Sequence, residues 1–432
     1  MARPAAGAGR QAQVAGLLLS ALAFGCASQG TPPGGPPRTT PAAILRTAPE
    51  SGAVVPDFRG KAVVQFDEVI DEAPRSAGGA GAITGLAQKI VLSPVAGDVK
   101  VSWHRSAIHV QPEEGWKPNR VYHLEVLPGI ADLRRNVTKT GTTIVFSTGG
   151  PLPGAGLSGT VLLWVEQRLL AQAVIRAAPL PDTAAYVTLT DSAGNFRLRE
   201  IPPGRYRVWA LQDQNNNRRL DRREPFDTVT VTVDSTASVV LWPFAHDTVG
   251  PRIRTIEAVD SVTLRISLSQ PLDPARSPDT AMVRVFALPD TTPVGVRALY
   301  RPAQFDSLQA RARAVADSLK RLQDTTARRD TTARRDTTAR PGARPPAAQR
   351  TPRDTSTARV DTARVRKLLA QRPVPYDRLV VQTARPVTPG AKYLVRVRGA
   401  ISLSGVAGDG VGVVEIPVPK PAPRDTTKAK AR

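Results

Sequence analysis

Short runs of β-branched and aromatic residues, about ten residues apart and separated by turn-forming clusters, restrict the fold of this chain more than any other feature. The 40 prolines and 33 glycines leave few windows long enough for a helix. Many short strands without long helices predict an all-β fold of tandem sandwiches, and 432 residues suffice for roughly two to four domains. In the first region the predicted strands are residues 62–66, 90–92, 99–103, 107–111, 121–126 and 142–146.

A first domain is predicted over residues 41–149. Its segment VYHLEV (121–126) alternates apolar and polar residues, which predicts a half-buried strand. The stretches RTAPESGAVV, AVVQFDEVID, GWKPNRVYHLEVLPGIADLRRN and TIVFSTGG resemble the bacterial Ig-like domain of surface-layer proteins and envelope lipoproteins, although Trp116 stands where that family usually has Leu. The resemblance implies a structural or display module.

A second domain is predicted over residues 156–245. Asp191–Asn195 has the composition of a turn in which Gly194 takes a positive φ, and Ile201–Gly204 is a second turn. This pattern is similar to the carboxypeptidase-regulatory-like (prealbumin-like) sandwich, with Ile201 in place of the usual Leu.

A third domain is predicted to be split between residues 250–304 and 373–418. Its second half resembles the first domain, since Tyr393 stands before an alternating strand as Tyr122 does. The two halves together resemble a second Ig-like domain.

The insert at residues 305–372 has a different composition. Apolar residues at helical spacing predict a short helix over 305–323, namely Leu308, Ala312, Val315, Leu319 and Leu322. DTTARR hexapeptides follow from Asp324, and this low-complexity stretch is predicted to be disordered. With 17 basic and 7 acidic residues, the insert supplies much of the net charge of +22. A basic tail occupies 419–432.

The charge of the insert raises the question of its partner. An anionic envelope polymer is a possible partner, whereas nucleic acid is not expected because aromatic residues for base stacking are lacking. A solvated spacer without a partner is the alternative, and the sequence does not indicate any protein partner.

The N-terminus has the layout of a secretory signal over residues 1–25, with Arg3 and Arg10 before an apolar stretch of about eleven residues. It resembles a bacterial lipoprotein signal, which implies acylation of Cys26 and attachment to the membrane through a lipid anchor. Ala27 in place of Asp implies the outer membrane. An ordinary signal with a chance cysteine is the alternative. Residues 26–40 are predicted to be a Pro/Gly-rich tether, and no apolar run reaches the ~18 residues of a membrane-spanning helix.

One loop has the spacing of a calcium site. Oxygen-bearing side chains stand at positions 1, 3, 5, 9 and 12 of an EF-hand-like loop, namely Asp213, Asn215, Asn217, Asp221 and Glu224. Arg218 occupies the position where such a loop needs glycine for its sharp turn, and several arginines oppose a cation. The alternative is a metal-free loop whose Asp and Asn side chains bond to the backbone.

No catalytic motif is evident in the sequence. Adjacent carboxylates such as Asp67 and Glu68 would point to opposite faces of a strand. His104, His109 and His123 are expected on exposed strand faces rather than around zinc. We therefore expect a non-enzymatic cell-envelope lipoprotein with a structural or binding role and no cofactor except a possible calcium ion. The alternatives are a calcium-ordered module that docks envelope polymers or proteins, and a secreted hydrolase whose site the sequence does not reveal.

Overall fold

The computed structural model describes residues 39–72, 85–327 and 356–418. The signal segment with Cys26, most of the tether, the DTTARR hexapeptides after residue 327 and the basic tail lie outside these residues. The described residues form six sheets that pair into three sandwiches, so the predicted all-β fold is confirmed. Among them, no helix is long and apolar enough to cross a membrane.

The first sandwich pairs a four-stranded sheet, β1-β2-β5-β4, with a three-stranded sheet, β3-β6-β7. A 3-10 helix, Gly85–Lys89, precedes β3. Its strands are β1 (Ile44–Ala48), β2 (Ala62–Phe66), β3 (Ile90–Ser93), β4 (Val99–His104), β5 (Ala107–Pro112), β6 (Val121–Val126) and β7 (Thr142–Ser147). Apolar residues of both sheets fill the core, among them Ile108, Tyr122 and Phe146.

The second sandwich pairs sheet β11-β10-β13-β14 with sheet β12-β8-β15, and β9 pairs with β8. Its strands are β8 (Ala155–Leu163), β9 (Arg168–Leu169), β10 (Val174–Pro179), β11 (Tyr186–Leu189), β12 (Asn195–Ile201), β13 (Gly204–Leu211), β14 (Phe226–Val233) and β15 (Thr236–Leu241). Both predicted turns are present: Gly194 has a φ of +70°, and Ile201 and Gly204 bound the second turn. Along β13, Tyr206, Val208 and Ala210 are all buried, so alternate side chains of this strand face the core.

The third sandwich pairs sheet β16-β17-β21-β20 with sheet β19-β18-β22-β23. Its strands are β16 (Ile253–Ala258), β17 (Thr263–Leu272), β18 (Val283–Ala287), β19 (Thr292–Val294), β20 (Val296–Tyr300), β21 (Tyr376–Thr383), β22 (Lys392–Ile401) and β23 (Ala407–Glu415), with a 3-10 helix at Thr280–Met282. Strands from both sides of the insert share the two sheets and one core.

The first and third sandwiches each contain the same local hydrogen bond to a tyrosine hydroxyl. The hydroxyl of Tyr122 accepts a hydrogen bond from the backbone N–H of Lys117 at 2.8 Å. The hydroxyl of Tyr393 accepts one from the backbone N–H of Thr388 at 2.9 Å. In each case the donor lies five residues before the tyrosine, so the sequence repeat corresponds to a repeated local structure.

The helix predicted over 305–323 is present as helix α1 (Pro302–Ala327), which extends beyond the predicted limits at both ends. Phe305 is buried near Tyr300, whereas Leu308, Val315 and Leu319 are exposed. The spacing of these residues therefore predicts the helix correctly. Within the described residues, however, it does not correspond to a buried face.

A second helix, α2 (Ser356–Leu369), lies in the stretch predicted to be disordered. Its last turns bring Val365, Leu368 and Leu369 against an aromatic cluster of the second sandwich, which includes Trp164 and Phe244. A window of the sequence cannot reveal this contact, because the aromatic partners are about 120 to 200 residues away in the chain.

Strand β6 was predicted to be half-buried, but the structure buries both of its faces. Tyr122 and Leu124 face the core of the first sandwich, as expected. His123 is also buried, beside Tyr186 of β11, and Glu125 accepts a hydrogen bond from Thr188 at 3.0 Å. The second sandwich therefore covers the face of β6 that a single domain would leave in solvent.

Candidate functional site

The candidate calcium loop connects two paired strands, β13 and β14, at the side of the second sandwich that faces the first. Its ends are closed by a hydrogen bond from the backbone N–H of Gln212 to the carbonyl oxygen of Pro225, at 2.9 Å. Leu211 and Phe226 pair across the strands, so the hairpin holds both ends of the loop in a fixed register.

Asp213 organises the first half of the loop. Its carboxylate accepts hydrogen bonds from the backbone N–H groups of Asn217, at 3.2 Å, and Arg218, at 2.7 Å. Arg218 has a φ of +53°, the left-handed conformation that glycine adopts most easily. An arginine therefore makes the sharp turn for which an EF-hand loop needs glycine.

The middle of the loop is held by amide groups. The side-chain amides of Asn215 and Asn217 donate to one oxygen of Asp221 at 2.6 and 3.0 Å. The side-chain oxygen of Asn215 accepts from the N–H of Asn217, at 3.0 Å, and that of Asn217 accepts from the N–H of Arg219, at 2.7 Å. The structure thus brings these three predicted ligands together, although they bind one another and the backbone.

Glu224, the last predicted ligand, is the least satisfied group of the loop. Its side chain is only 4% exposed, and one carboxylate oxygen accepts from the N–H of Gln214 at 2.8 Å. The other oxygen, Oε2, is buried without a hydrogen-bond partner among the described residues. Burial raises the pKa of Glu224, and the negative charges of Asp213 and Asp221 raise it further.

The loop is not a closed metal cage. Within residues 39–72, 85–327 and 356–418, no group of three or more His, Cys, Asp and Glu side chains is placed to hold a metal ion. A cation would therefore need the amide oxygens of Asn215 and Asn217 in addition to the carboxylates. Hard oxygen ligands of this kind suit calcium better than a transition metal.

The arginines of the loop have a role that the sequence did not suggest. The guanidinium of Arg218 donates to the carbonyl oxygens of Ile90, at 2.6 Å, and Gln88, both in the first sandwich. Arg219 forms an ion pair with Asp98 of the same sandwich. These arginines connect two domains, a contact between distant segments that loop spacing cannot reveal.

Further polar contacts join the first two sandwiches. Arg120 forms an ion pair with Asp182 at 2.7 Å, and Val95 forms an isolated antiparallel bridge with Ala185. A groove of about 1270 Å³ lies along the junction, and its walls include Lys89, Glu125 and Asp213. The candidate loop therefore borders both a domain interface and a polar groove.

His123 lies in this interface, which corrects the expectation that it is exposed. Its ring centroid is 5.0 Å from that of Tyr186. Burial lowers the pKa of His123 to about 4, and the carbonyl oxygen of Glu200 counteracts that shift only in part. His104 is exposed and His109 is half-buried.

Known structures show only remote similarity to this chain. The major pilin subunit BcpA of Bacillus cereus is 10% identical, with 45% of this chain and 67% of that chain covered and a TM-score of 0.17. A DUF3823 family protein from Bacteroides uniformis is 12% identical, with 61% and 100% covered and a TM-score of 0.16. A fragment of native alpha-2-macroglobulin from Escherichia coli, spanning domains MG0-NIE-MG1, is 11% identical, with 58% and 84% covered and a TM-score of 0.18. With such low TM-scores, these similarities carry no argument about function.

Comparison of the sequence with known families is more specific. No curated protein matches the chain. Residues 38–148 match the family described as bacterial Ig-like domain. These limits enclose the strands of the first sandwich, and the match covers about a quarter of the chain. The first sandwich is therefore similar to bacterial Ig-like domains.

Proposed function

We propose that the chain is a non-enzymatic structural or binding module of the bacterial cell envelope, acylated at Cys26 and held at the outer membrane. The match of residues 38–148 to bacterial Ig-like domains is the observation that carries this proposal. The lipoprotein-like signal and the Pro/Gly-rich tether supply the anchor and the spacer. The resemblance of residues 156–245 to a carboxypeptidase-regulatory-like sandwich adds a second module of the same kind.

The anchor is tested in bacteria supplied with an alkyne-labelled fatty acid. We expect the full chain to incorporate the label and to fractionate with the outer membrane, and Cys26→Ser to lose both properties. Ser28→Ala, two residues away, is the matched control and should retain them. An unlabelled wild-type chain in the soluble fraction would contradict the proposed anchor.

The Arg-rich insert is proposed to bind an anionic envelope polymer. Clustered arginines attract polyanions at low salt, and this attraction weakens as salt screens it. We expect the protein to sediment with lipopolysaccharide-containing vesicles at low salt, and deletion of residues 328–353 to reduce this binding. Deletion of the tail, residues 419–432, tests whether any basic segment suffices. Equal binding by all three proteins would contradict a role for the insert.

A calcium-ordered docking module is a second candidate function. The buried Oε2 atom of Glu224 favours it, because a cation would give that oxygen a partner and would offset the repulsion between Glu224, Asp213 and Asp221. Calcium at 100-fold excess over Kd should stabilise the protein by about 2.7 kcal/mol.

The calcium site is tested by calorimetric titration and thermal unfolding of the purified chain. Asp221→Asn should abolish the rise in Tm that calcium causes. Asp191→Asn is the matched control, since Asp191 accepts from the N–H groups of Ala193 and Asn195 in an exposed turn of the same domain. No heat of binding and no shift in Tm would remove this candidate.

A further inference from the structure

We infer that cation binding to the loop Asp213–Glu224 controls how firmly the first sandwich docks on the second, and that Arg218 transmits the effect. This inference rests on the proposed calcium site and names the regulation that this site would exert. Three observations carry it. The first is the set of hydrogen bonds made by the backbone N–H and the guanidinium of Arg218, the second is the Oε2 atom of Glu224, which is unpaired within the described residues, and the third is the group of interface contacts next to the loop.

Arg218 belongs to the candidate site and to the interface at once. Its backbone N–H donates to Asp213, the first ligand position, at 2.7 Å. Its guanidinium donates to the carbonyl oxygens of Ile90 and Gln88, so the side chain spans the junction between the domains. A movement of Asp213 toward a cation therefore acts on the residue that binds the first sandwich.

Burial and the neighbouring negative charges act on the guanidinium of Arg218 in opposite directions. Burial lowers the pKa of Arg218, and the negative charges of Asp213 and Glu125 partly restore it. A calcium ion at Asp213 would share that carboxylate with the backbone N–H groups of Asn217 and Arg218, and it would lie near the positive charge of the guanidinium. The guanidinium would then repel the ion, while the hydrogen bonds of the loop backbone would be held more rigidly. Arg218 is thus expected to weaken cation binding and also to couple it to the interface.

The neighbouring contacts would extend the effect across the junction. Arg219 forms its ion pair with Asp98, and the bridge between Val95 and Ala185 continues the contact toward β11. Because linkage is reciprocal, a cation that tightens docking must bind more tightly when the domains are docked.

The variant Arg218→Gly separates the two effects. Glycine adopts a φ of +53° without steric cost, so the loop can keep its turn. Loss of the guanidinium removes its repulsion of the cation and its bonds to the first sandwich. We expect calcium to bind Arg218→Gly several-fold more tightly than the wild type, but to lose its effect on the interface.

The experiment is hydrogen–deuterium exchange of the full chain with calcium or with EDTA. In the wild type, calcium should slow exchange within residues 212–225 and, by about 10-fold, within the interface segments 90–97 and 183–189. In Arg218→Gly, the loop should still be protected by calcium while the interface segments should not. Arg223→Gly is the matched control, because it removes an exposed arginine of the same loop, and it should behave as the wild type.

Each other outcome overturns a definite part of the inference. Protection of the loop without protection of the interface in the wild type would leave the calcium site intact but would refute the coupling. Equal protection of the interface in Arg218→Gly would refute the role of Arg218. If calcium protects neither the loop nor the interface, the calcium site and the inference fail together.

Discussion

Arg218 shows how a single residue can reverse an argument drawn from spacing. In the sequence it replaces the glycine of a calcium loop and adds an opposing charge. In the structure it makes the required turn at a φ of +53° and binds two carbonyl oxygens of another domain. The type and spacing of Asp213, Asn215 and Asn217 were enough to predict a local loop. The partners of the arginine lie about 130 residues away, where no local pattern could indicate them.

The hydrogen bonds to the hydroxyls of Tyr122 and Tyr393 should each stabilise the fold. Each hydroxyl accepts one backbone hydrogen bond, so Tyr122→Phe and Tyr393→Phe should each lower the free energy of unfolding by about 1 kcal/mol. Tyr300→Phe is the control, because Tyr300 packs near Phe305 instead. Chemical denaturation of the three variants measures the effect, and equal stability of all three would contradict the repeated contact.

Among the elements, strands were more predictable than helices. Strands β2 and β6 have the limits that their apolar patterns predict, because alternate residues of each strand pack in the core of the first sandwich. Strand β1, with the sequence ILRTA, has no such pattern and was not predicted. Helix α2 was also not predicted, because its apolar residues are explained only by the aromatic cluster of the second sandwich. The domain limits drawn from the sequence stay predictions.

Docking of α2 depends on the residues that follow it. The guanidinium of Arg372 lies 3.5 Å from the ring centroid of Trp164, and the indole N–H of Trp164 donates to the carbonyl oxygen of Pro373 at 3.0 Å. Arg372→Gln should weaken docking by about 1 kcal/mol and should speed hydrogen exchange within residues 363–370. Arg366→Gln, on the exposed side of α2, should leave exchange unchanged. A similar effect of both variants would show that the stacked contact is not what holds the helix.

At the scale of the whole molecule, the three sandwiches contact one another rather than standing apart. The first and second meet at β6 and β11, and the third reaches the second through α2 and Leu403. Composition and strand spacing indicated several domains but not these contacts. An interface is formed by residues of two strands that are far apart in the sequence. The pattern of each strand by itself predicts a face exposed to solvent.

Acidification should weaken the first of these interfaces. The pKa of His123 is lowered to about 4, so between pH 6.5 and 4 the unfolded chain binds a proton that the folded protein does not. The contribution of His123 to the free energy of unfolding should therefore fall by about 3 kcal/mol through this range and level off below it.

Denaturation of the wild type and His123→Phe as a function of pH measures that contribution. Phenylalanine keeps a ring beside Tyr186 but cannot titrate. The neighbouring Glu125, whose pKa is raised by burial, is present in both proteins, so its contribution cancels in the comparison. Superimposable pH profiles would contradict the burial of a neutral His123.

The buried face of β6, the groove and the role of Arg218 all depend on the docking of the first sandwich on the second. This docking is tested most directly by a disulfide between Val95→Cys and Ala185→Cys, in a chain whose single cysteine, Cys26, is replaced by serine. Residues paired by an antiparallel bridge lie about 4.5–5.5 Å apart at Cα, which is within the range of a disulfide. We expect this bond to form nearly completely under mild oxidation, whereas Val95→Cys with Ser192→Cys, in an exposed turn, should stay reduced. If the cysteines at positions 95 and 185 remain reduced, the first sandwich does not dock on the second in this way.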